Sequence, residues 1–127
     1  MANAGPKRIL IVDDEEEALE LLKLILEKAG YEVIPTTKGR EAVTLAKAIH
    51  PDLIILDIML PDMEGGEVAA VISEDPGCSE IPIVFLSGVI VTKKDNIPGQ
   101  KAGKHFILAK PASANEILEM VNRALGH

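Results

Sequence analysis

Hydrophobic positions along the chain form short apolar runs that are bounded by turn-forming or acidic residues. There are five such runs: Ile9–Val12, Val33–Ile34, Leu53–Leu56, Ile83–Leu86 and Phe106–Ala109. Three of them are continuous and rich in β-branched residues, with no polar residue alternating between the apolar ones. Continuous runs of this kind are typical of strands that are buried on both faces. The pattern therefore predicts five short strands.

The segments between these runs repeat apolar residues at helical spacing. The predicted helices are Glu15–Ala29, Arg40–Ile49, Glu67–Asp75 and a last helix opened by Ser113 and Glu116, which form a capping box. Gly30 follows the first helix where a C-terminal glycine is expected, and Pro51 prevents the second from continuing.

Strand and helix alternate at the spacing of βαβ units, which predicts an α/β fold with a doubly wound parallel sheet and helices on both faces. The segment Val89–Gly103 departs from this pattern. A helix is expected there, but Pro98 and Gly99 fall inside it. In a helix interior they cost about 3 and about 1 kcal/mol. We therefore expect a shortened or mobile helix, with partner recognition depending on this segment and on the final helix.

Size and charge narrow the functional classes. A chain of 127 residues, 47% of them hydrophobic, has room for one packed domain. Its net charge of −7 repels a phosphate backbone, so direct binding to nucleic acid is not expected. The beginning of the chain has no signal-peptide pattern, and no apolar run approaches the roughly 18 residues of a membrane span. We expect a soluble cytoplasmic protein without membrane contact.

The single cysteine, Cys78, cannot form an internal disulfide, which fits a reducing compartment. It follows Pro76-Gly77, and we expect it to be exposed in that loop. His50 precedes a proline at a predicted helix end and is interpreted as a cap or surface residue.

Polar residues that could bind a ligand or take part in a reaction stand directly after four of the five predicted strands. They are Asp13 and Asp14 after the first, Asp57 after the third, Ser87 after the fourth and Lys110 after the fifth. Ligands of open α/β sheets bind beyond the carboxyl ends of the strands, where such residues would meet. Singly, each residue is explained as a helix cap, a turn residue or a surface lysine.

Taken together, the three carboxylates would repel one another and need a cation. Oxygen ligands favour Mg²⁺, which binds to one or two carboxylates together with a phosphate. An aspartate can also act as a nucleophile towards phosphorus and form an aspartyl phosphate. Ser87 could then donate a hydrogen bond to a phosphoryl oxygen, and Lys110 could pair with another.

These residues, with Ile58–Gly65 after Asp57, Gly88 after Ser87 and Pro111 after Lys110, resemble the signature of the receiver domain of two-component response regulators, chemotaxis regulators included. The match keeps order and spacing over roughly Lys7 to Leu125. The resemblance implies a five-stranded sheet of flavodoxin-like order 2-1-3-4-5. It also implies that residues 1–127 are a single receiver domain with its core at about 7–125.

The resemblance assigns a role to each site residue. Asp57 would accept a phosphoryl group from a phosphohistidine of a sensor histidine kinase or histidine phosphotransfer protein. The implied Mg²⁺ ligands are Asp14 directly, Asp13 through water, Asp57, and the backbone carbonyl of Met59. Ser87 and Lys110 would contact the phosphoryl group, and Pro111 would follow a cis peptide bond.

One position departs from the family pattern. The residue three places before the lysine is usually aromatic or histidine and acts as a switch rotor, but here it is Ile107. Phe106, one place earlier, would point to the opposite face of a strand and cannot replace it. Ala112 stands where the family often has phenylalanine.

The predicted function is a phosphorylation-activated switch that changes the binding of an output partner, which the sequence does not name. Such a domain is not an enzyme in the ordinary sense: it catalyses only its own phosphorylation and a slow autodephosphorylation. One alternative is a phosphatase like the haloacid dehalogenases, which place the nucleophile after the first strand and a second aspartate two residues later. Here Glu15 stands at that second place. The other alternative is a binding module independent of phosphorylation.

Overall fold

The computed structural model describes residues 5–87 and 105–126. The segment Val89–Gly103, for which a shortened or mobile helix is expected, lies outside the described residues. That expectation stays a prediction.

Strands and helices alternate as the apolar pattern predicts, apart from this segment. The strands are β1 (Arg8–Val12), β2 (Glu32–Thr36), β3 (Leu53–Asp57), β4 (Ile83–Ser87) and β5 (His105–Ala109). The described helices are α1 (Glu16–Lys28), α2 (Gly39–Ile49), α3 (Gly65–Glu74) and α4 (Ala114–Leu125). Most elements differ from the predicted bounds by one or two residues, because polar residues such as Asp57 and Ser87 still pair in the sheet although they end the apolar runs.

All five strands are parallel and lie in the order β2-β1-β3-β4-β5, which confirms the predicted sheet. In the centre of the sheet Ile9 pairs in register with Leu53, and Ile54 pairs with Ile83. The order makes β2 an edge strand, which is where Pro35 can be accommodated because a proline has no N–H to donate to a neighbouring strand.

Successive side chains of the strands enter two separate hydrophobic layers. On one face, Ile9, Ile11 and Ile55 pack with α1 and α4. On the other face, Leu10, Ile54 and other alternate residues pack with α2 and α3. All five residues of β3 and all five of β4 are buried. The doubly wound arrangement with helices on both faces is therefore confirmed.

Helix ends follow the sequence closely. Gly30 adopts a positive φ of 100° just after α1, and Ser113 and Glu116 form the predicted capping box of α4. His50 is exposed and caps α2 in the left-handed conformation, as interpreted. None of the described helices is long and apolar enough to cross a membrane.

The prediction that Cys78 is exposed is wrong, since only 1% of the residue is accessible. Its thiol donates to the carboxylate of Asp75 and lies 3.5 Å from the carbonyl oxygen of Ala46 in α2. The turn after α3 thus folds inward against α2. A small sulfur side chain is readily buried at such a place.

Candidate functional site

The parallel topology brings the carboxyl ends of the strands, with their polar residues, to the same end of the sheet. Asp13 follows β1, Asp57 ends β3, Ser87 ends β4 and Lys110 follows β5, and these four strands are neighbours in that order. Asp57 is paired in register with Leu86, so that Ser87 lies one position further along. The structure therefore brings together the residues that the sequence predicts to meet.

Three carboxylates form the acidic part of this site. One oxygen of each of Asp13, Asp14 and Asp57 lies within 4.8 Å of the others. Asp13 and Asp57 are 1% and 6% exposed, whereas Asp14 is exposed at the mouth of the site. Carboxylates held this close repel one another unless a cation compensates them. The all-oxygen donor set, partly open to water, fits a hard divalent ion such as Mg²⁺.

Lys110 provides the positive charge of the site. Its Nζ donates to Oδ2 of Asp13 at 3.0 Å and to Oδ2 of Asp57 at 3.2 Å. Its backbone N–H donates to the carbonyl oxygen of Ser87 at 2.8 Å, which fixes the start of the loop after β5. The Lys110–Pro111 peptide bond is cis, as predicted. One ammonium group is thus shared between two buried carboxylates.

Burial and the neighbouring charges shift the pKa values of both Asp57 and Lys110. Burial raises the pKa of Asp57, and the charge of Asp13 raises it further. The N–H of Met59, which donates to Oδ1 of Asp57 at 3.1 Å, and the nearby Lys110 lower the pKa without offsetting the increase. Burial lowers the pKa of Lys110, but its bonds to Asp13 and Asp57 outweigh that effect and raise it. Lys110 therefore stays charged while the ionised form of Asp57 remains incompletely compensated.

This imbalance predicts that Asp57→Asn stabilises the protein at neutral pH. The pKa of Asp57 is higher in the folded than in the unfolded chain, so between these two values the folded chain holds a proton that the unfolded chain has already lost. The stability that Asp57 contributes is present below the unfolded pKa and is lost as pH rises through the folded pKa. The asparagine variant should unfold at a higher urea concentration at pH 7 without metal, and the gain should shrink towards pH 4.

Asp62 provides a control of opposite sign. Its carboxylate accepts hydrogen bonds from the backbone N–H groups of Gly39 and Arg40 at 2.9 and 3.1 Å, and these bonds lower its pKa. The stability that Asp62 contributes is present above its unfolded pKa and is lost as pH falls through the folded value. Asp62→Asn should therefore lower the urea midpoint at pH 7. An Asp57→Asn midpoint below that of the unmodified protein would contradict the account of Asp57.

Two residues that position Asp57, Asp62 and Gly65, belong to the Ile58–Gly65 motif but have no separate role predicted from the sequence. Asp62 fastens the loop after β3 to the start of α2 through the bonds just described. Gly65 begins α3, and its N–H donates to the carbonyl oxygen of Ile58 at 2.7 Å. A Cβ atom at Gly65 would lie 2.6 Å from the carbonyl oxygen of Asp57. The adjacent pair Gly65-Gly66 was the available sequence signal, because glycine often marks a close backbone approach.

The neighbours Phe106 and Ile107 face opposite sides of β5, as predicted. Phe106 packs against the layer formed with α1 and α4. Ile107 pairs in register with Phe85 and is 37% exposed. The rotor position therefore carries a partly exposed aliphatic side chain, and Phe106 does not take its place.

Comparison with known proteins decides the family. The family model described as the response regulator receiver domain matches residues 9–122. The chain belongs to this family. The polar-differentiation response regulator DivK of Brucella ovis is 34% identical over 120 residues, which cover 94% of this chain and 97% of DivK.

Solved structures of receiver domains have the same fold. The chemotaxis protein CheY4 of Vibrio cholerae matches with a TM-score of 0.87 and 27% identity, over 95% of this chain and 100% of CheY4. The receiver domain of the sensor histidine kinase PA1611 of Pseudomonas aeruginosa matches with a TM-score of 0.85 and 27% identity, over 98% of this chain and 100% of that domain. In that structure a magnesium ion is coordinated in the active site cleft.

Membership of this family gives the function in outline. The chain is a phosphoryl-accepting switch of two-component signal transduction, and its family is a signalling family and not a classical enzyme family. Receiver domains interact with histidine kinases or phosphotransfer proteins. The alternative of a phosphatase like the haloacid dehalogenases is not retained, because both the family and the fold are those of receiver domains.

Proposed function

We propose that Asp57 is the phosphoryl acceptor and that the acidic site works with Mg²⁺. The observation that carries the proposal is the cluster of Asp13, Asp14 and Asp57, in which Lys110 bridges the two buried carboxylates. The ligands would be these three aspartates and the backbone carbonyl of Met59. We further propose that residues 7–125 form the core of a single receiver domain, as the family match over residues 9–122 supports.

In the proposed reaction a carboxylate oxygen of Asp57 forms a bond to phosphorus while the bond between phosphorus and the donor imidazole breaks. The departing imidazole keeps the electron pair of that bond and takes up a proton. Lys110, 3.2 Å from Oδ2 of Asp57, would pair with an oxygen of the transferred group. Ser87, buried at the end of β4, would donate a hydrogen bond to another. When bound, Mg²⁺ would screen the repulsion between phosphoryl oxygens and carboxylates.

The proposed donor is a sensor histidine kinase or a histidine phosphotransfer protein in the cytoplasm. Phosphorylation would change the binding of an output partner, and Ile107, in place of an aromatic rotor, makes the coupling between Ser87 and the surface atypical. The protein would catalyse only its own phosphorylation and a slow loss of the phosphoryl group.

Intact-protein mass spectrometry with acetyl phosphate tests the acceptor. We expect the mass of one phosphoryl group to be added in the presence of Mg²⁺, and no addition in EDTA or in the Asp57→Asn variant. Asp52→Asn is the matched control, because Asp52 precedes β3 at the end of the strand away from Asp57 and lies outside the carboxylate cluster, and it should still be modified. Modification that persists in Asp57→Asn or in EDTA would refute the assignment.

The phosphorylated form is expected to decay slowly. Met59 flanks Asp57 with a side chain that is 68% exposed, at a place where polar residues in the family orient the attacking water. A thioether cannot hold a water molecule in this way, because sulfur is a weak acceptor. Met59→Asn should accelerate the decay measured by mass spectrometry, whereas Met59→Leu should leave it unchanged. Equal decay in both variants would contradict this role.

A further inference from the structure

A second cluster of metal-ligating side chains lies at the end of the sheet opposite Asp57, where the amino ends of the strands are found. It consists of His50, Asp75 and Cys78, which precede β3 and β4 at their amino ends. One ligand atom of each residue lies within 4.8 Å of the other two. None of the three takes part in the phosphoryl chemistry proposed above.

Local structure holds these three residues together. His50 ends α2 with φ of 53°, and Asp75 follows the last turn of α3. The N–H of Cys78 donates to the carbonyl oxygen of Asp75 at 2.8 Å, which closes the turn between them. Gly77 lies under the imidazole, and a Cβ there would come within 2.9 Å of Nε2 of His50. A side chain at position 77 would therefore occupy the space in which the histidine meets the turn.

The distances suit a tetrahedral ion. Sγ of Cys78 and Oδ2 of Asp75 are 3.3 Å apart. A zinc ion with bonds of about 2.3 Å to sulfur and about 2.0 Å to oxygen would hold these atoms roughly 3.5 Å apart. His50 is exposed, so its ring can rotate to close the remaining distance, and the same exposure gives an ion access from solvent. Mixed sulfur, nitrogen and oxygen donors favour Zn²⁺ over Mg²⁺.

We propose that His50, Asp75 and Cys78 form a Zn²⁺ site with three protein ligands and a fourth position open to water. On binding, the thiol of Cys78 loses its proton to solvent and its sulfur forms a bond to the ion. The hydrogen bond from Cys78 to Asp75 is thereby replaced by an ion that bridges both. The ion would link the end of α2 to the turn after α3, at the far side of the sheet from the acidic site.

In the metal-free state the thiol of Cys78 is held in its protonated form. Burial raises the pKa of Cys78 to about 11, and the adjacent carboxylate of Asp75 contributes to the increase. A proton on sulfur then occupies the position that the ion would take between Sγ and Oδ2. Zn²⁺ replaces such protons in cysteine sites because it binds the thiolate strongly.

Titration of the untagged, reduced full chain with Co²⁺ tests the site. Excess Mg²⁺ is included so that the acidic site is occupied. We expect one Co²⁺ per chain with an absorption band from sulfur-to-cobalt charge transfer and the intense visible bands of tetrahedral coordination. Added Zn²⁺ should remove both. Binding without a thiolate band would overturn the proposal, and so would the absence of binding.

Variants separate this site from the acidic one. Cys78→Ser should abolish the charge-transfer band. His50→Asn keeps a residue that tolerates the left-handed conformation and should weaken Co²⁺ binding by at least about tenfold. Because His50 is exposed, this variant tests the site even if Cys78→Ser folds poorly. Asp57→Asn should bind Co²⁺ with unchanged affinity and spectrum. An unchanged affinity in His50→Asn would refute the proposal.

Discussion

Replacing Lys110 by methionine should lower the free energy of unfolding by about 3 kcal/mol in metal-free buffer, the lower end of the cost of removing one partner from a buried ion pair. Methionine keeps the apolar stem of the side chain but removes the ammonium group shared by Asp13 and Asp57. These carboxyl groups are nearly inaccessible to water, with 2% and 8% of their side chains exposed. The variant would leave them without a counterion among residues 5–87 and 105–126. Urea unfolding in EDTA measures the loss.

Saturating Mg²⁺ should restore a large part of this loss. An ion that binds the folded protein and not the unfolded chain stabilises it in proportion to the logarithm of its concentration over its dissociation constant. The ion would bind between the same carboxylates that Lys110 compensates, so the increment from Mg²⁺ should be larger in Lys110→Met than in the unmodified protein. An equal increment in both would show that Lys110 and the ion act independently.

Lys23→Met is the matched control. Lys23 pairs with Glu27 at 3.0 Å on the surface of α1, where both side chains are more than 40% exposed. Exposed pairs of this kind contribute about 0–1 kcal/mol, since water and salt screen them. The free energy of unfolding of Lys23→Met should change little and should respond to Mg²⁺ as that of the unmodified protein does. A loss as large as that of Lys110→Met would mean that the burial of the charges around Lys110 does not explain the effect.

The periodicity of apolar residues predicts the strands and described helices well, because both faces of this sheet are covered. A strand such as Leu53–Asp57, buried at every position, leaves a continuous apolar run that no exposed strand would show. The order of the strands does not follow from periodicity, since five parallel strands can be arranged in several ways. That order came from the resemblance carried by the aspartate, serine and lysine motifs, and the structure confirms it.

What the sequence does not show is which way irregular segments face. Pro76-Gly77 correctly indicates a turn, but a turn signal carries no information about the side on which Cys78 packs. His50 and Cys78 are far apart in sequence, and they meet only because α2 packs beside α3. Likewise, Asp62 is one acidic residue among many until the start of α2 is seen to donate to it.

Gly65→Ala is expected to lower the free energy of unfolding by about 2 kcal/mol, in the range of 1–3 kcal/mol for overpacked sites. The added Cβ would lie 2.6 Å from the carbonyl oxygen of Asp57 and 2.7 Å from Cα of Ile58. Both atoms belong to the backbone, so the clash is relieved only if α3 or the end of β3 moves. Either movement displaces the peptide that carries Asp57. The variant should therefore also accept phosphate from acetyl phosphate more slowly while it remains folded.

Gly39→Ala separates this effect from the general consequence of a methyl group at the start of a helix. Gly39 is the first residue of α2 as Gly65 is of α3, but its Cβ would meet side chains, Cγ2 of Val68 at 2.9 Å and Cβ of Met63 at 3.0 Å. Side chains can shift by a few tenths of an ångström more easily than paired backbone. Gly39→Ala should therefore cost less, by at least about 1 kcal/mol within the same overpacking range, and keep normal phosphorylation. If the two variants lose equal stability and equal rate, the close approach of α3 to Asp57 has no special role in holding the acceptor.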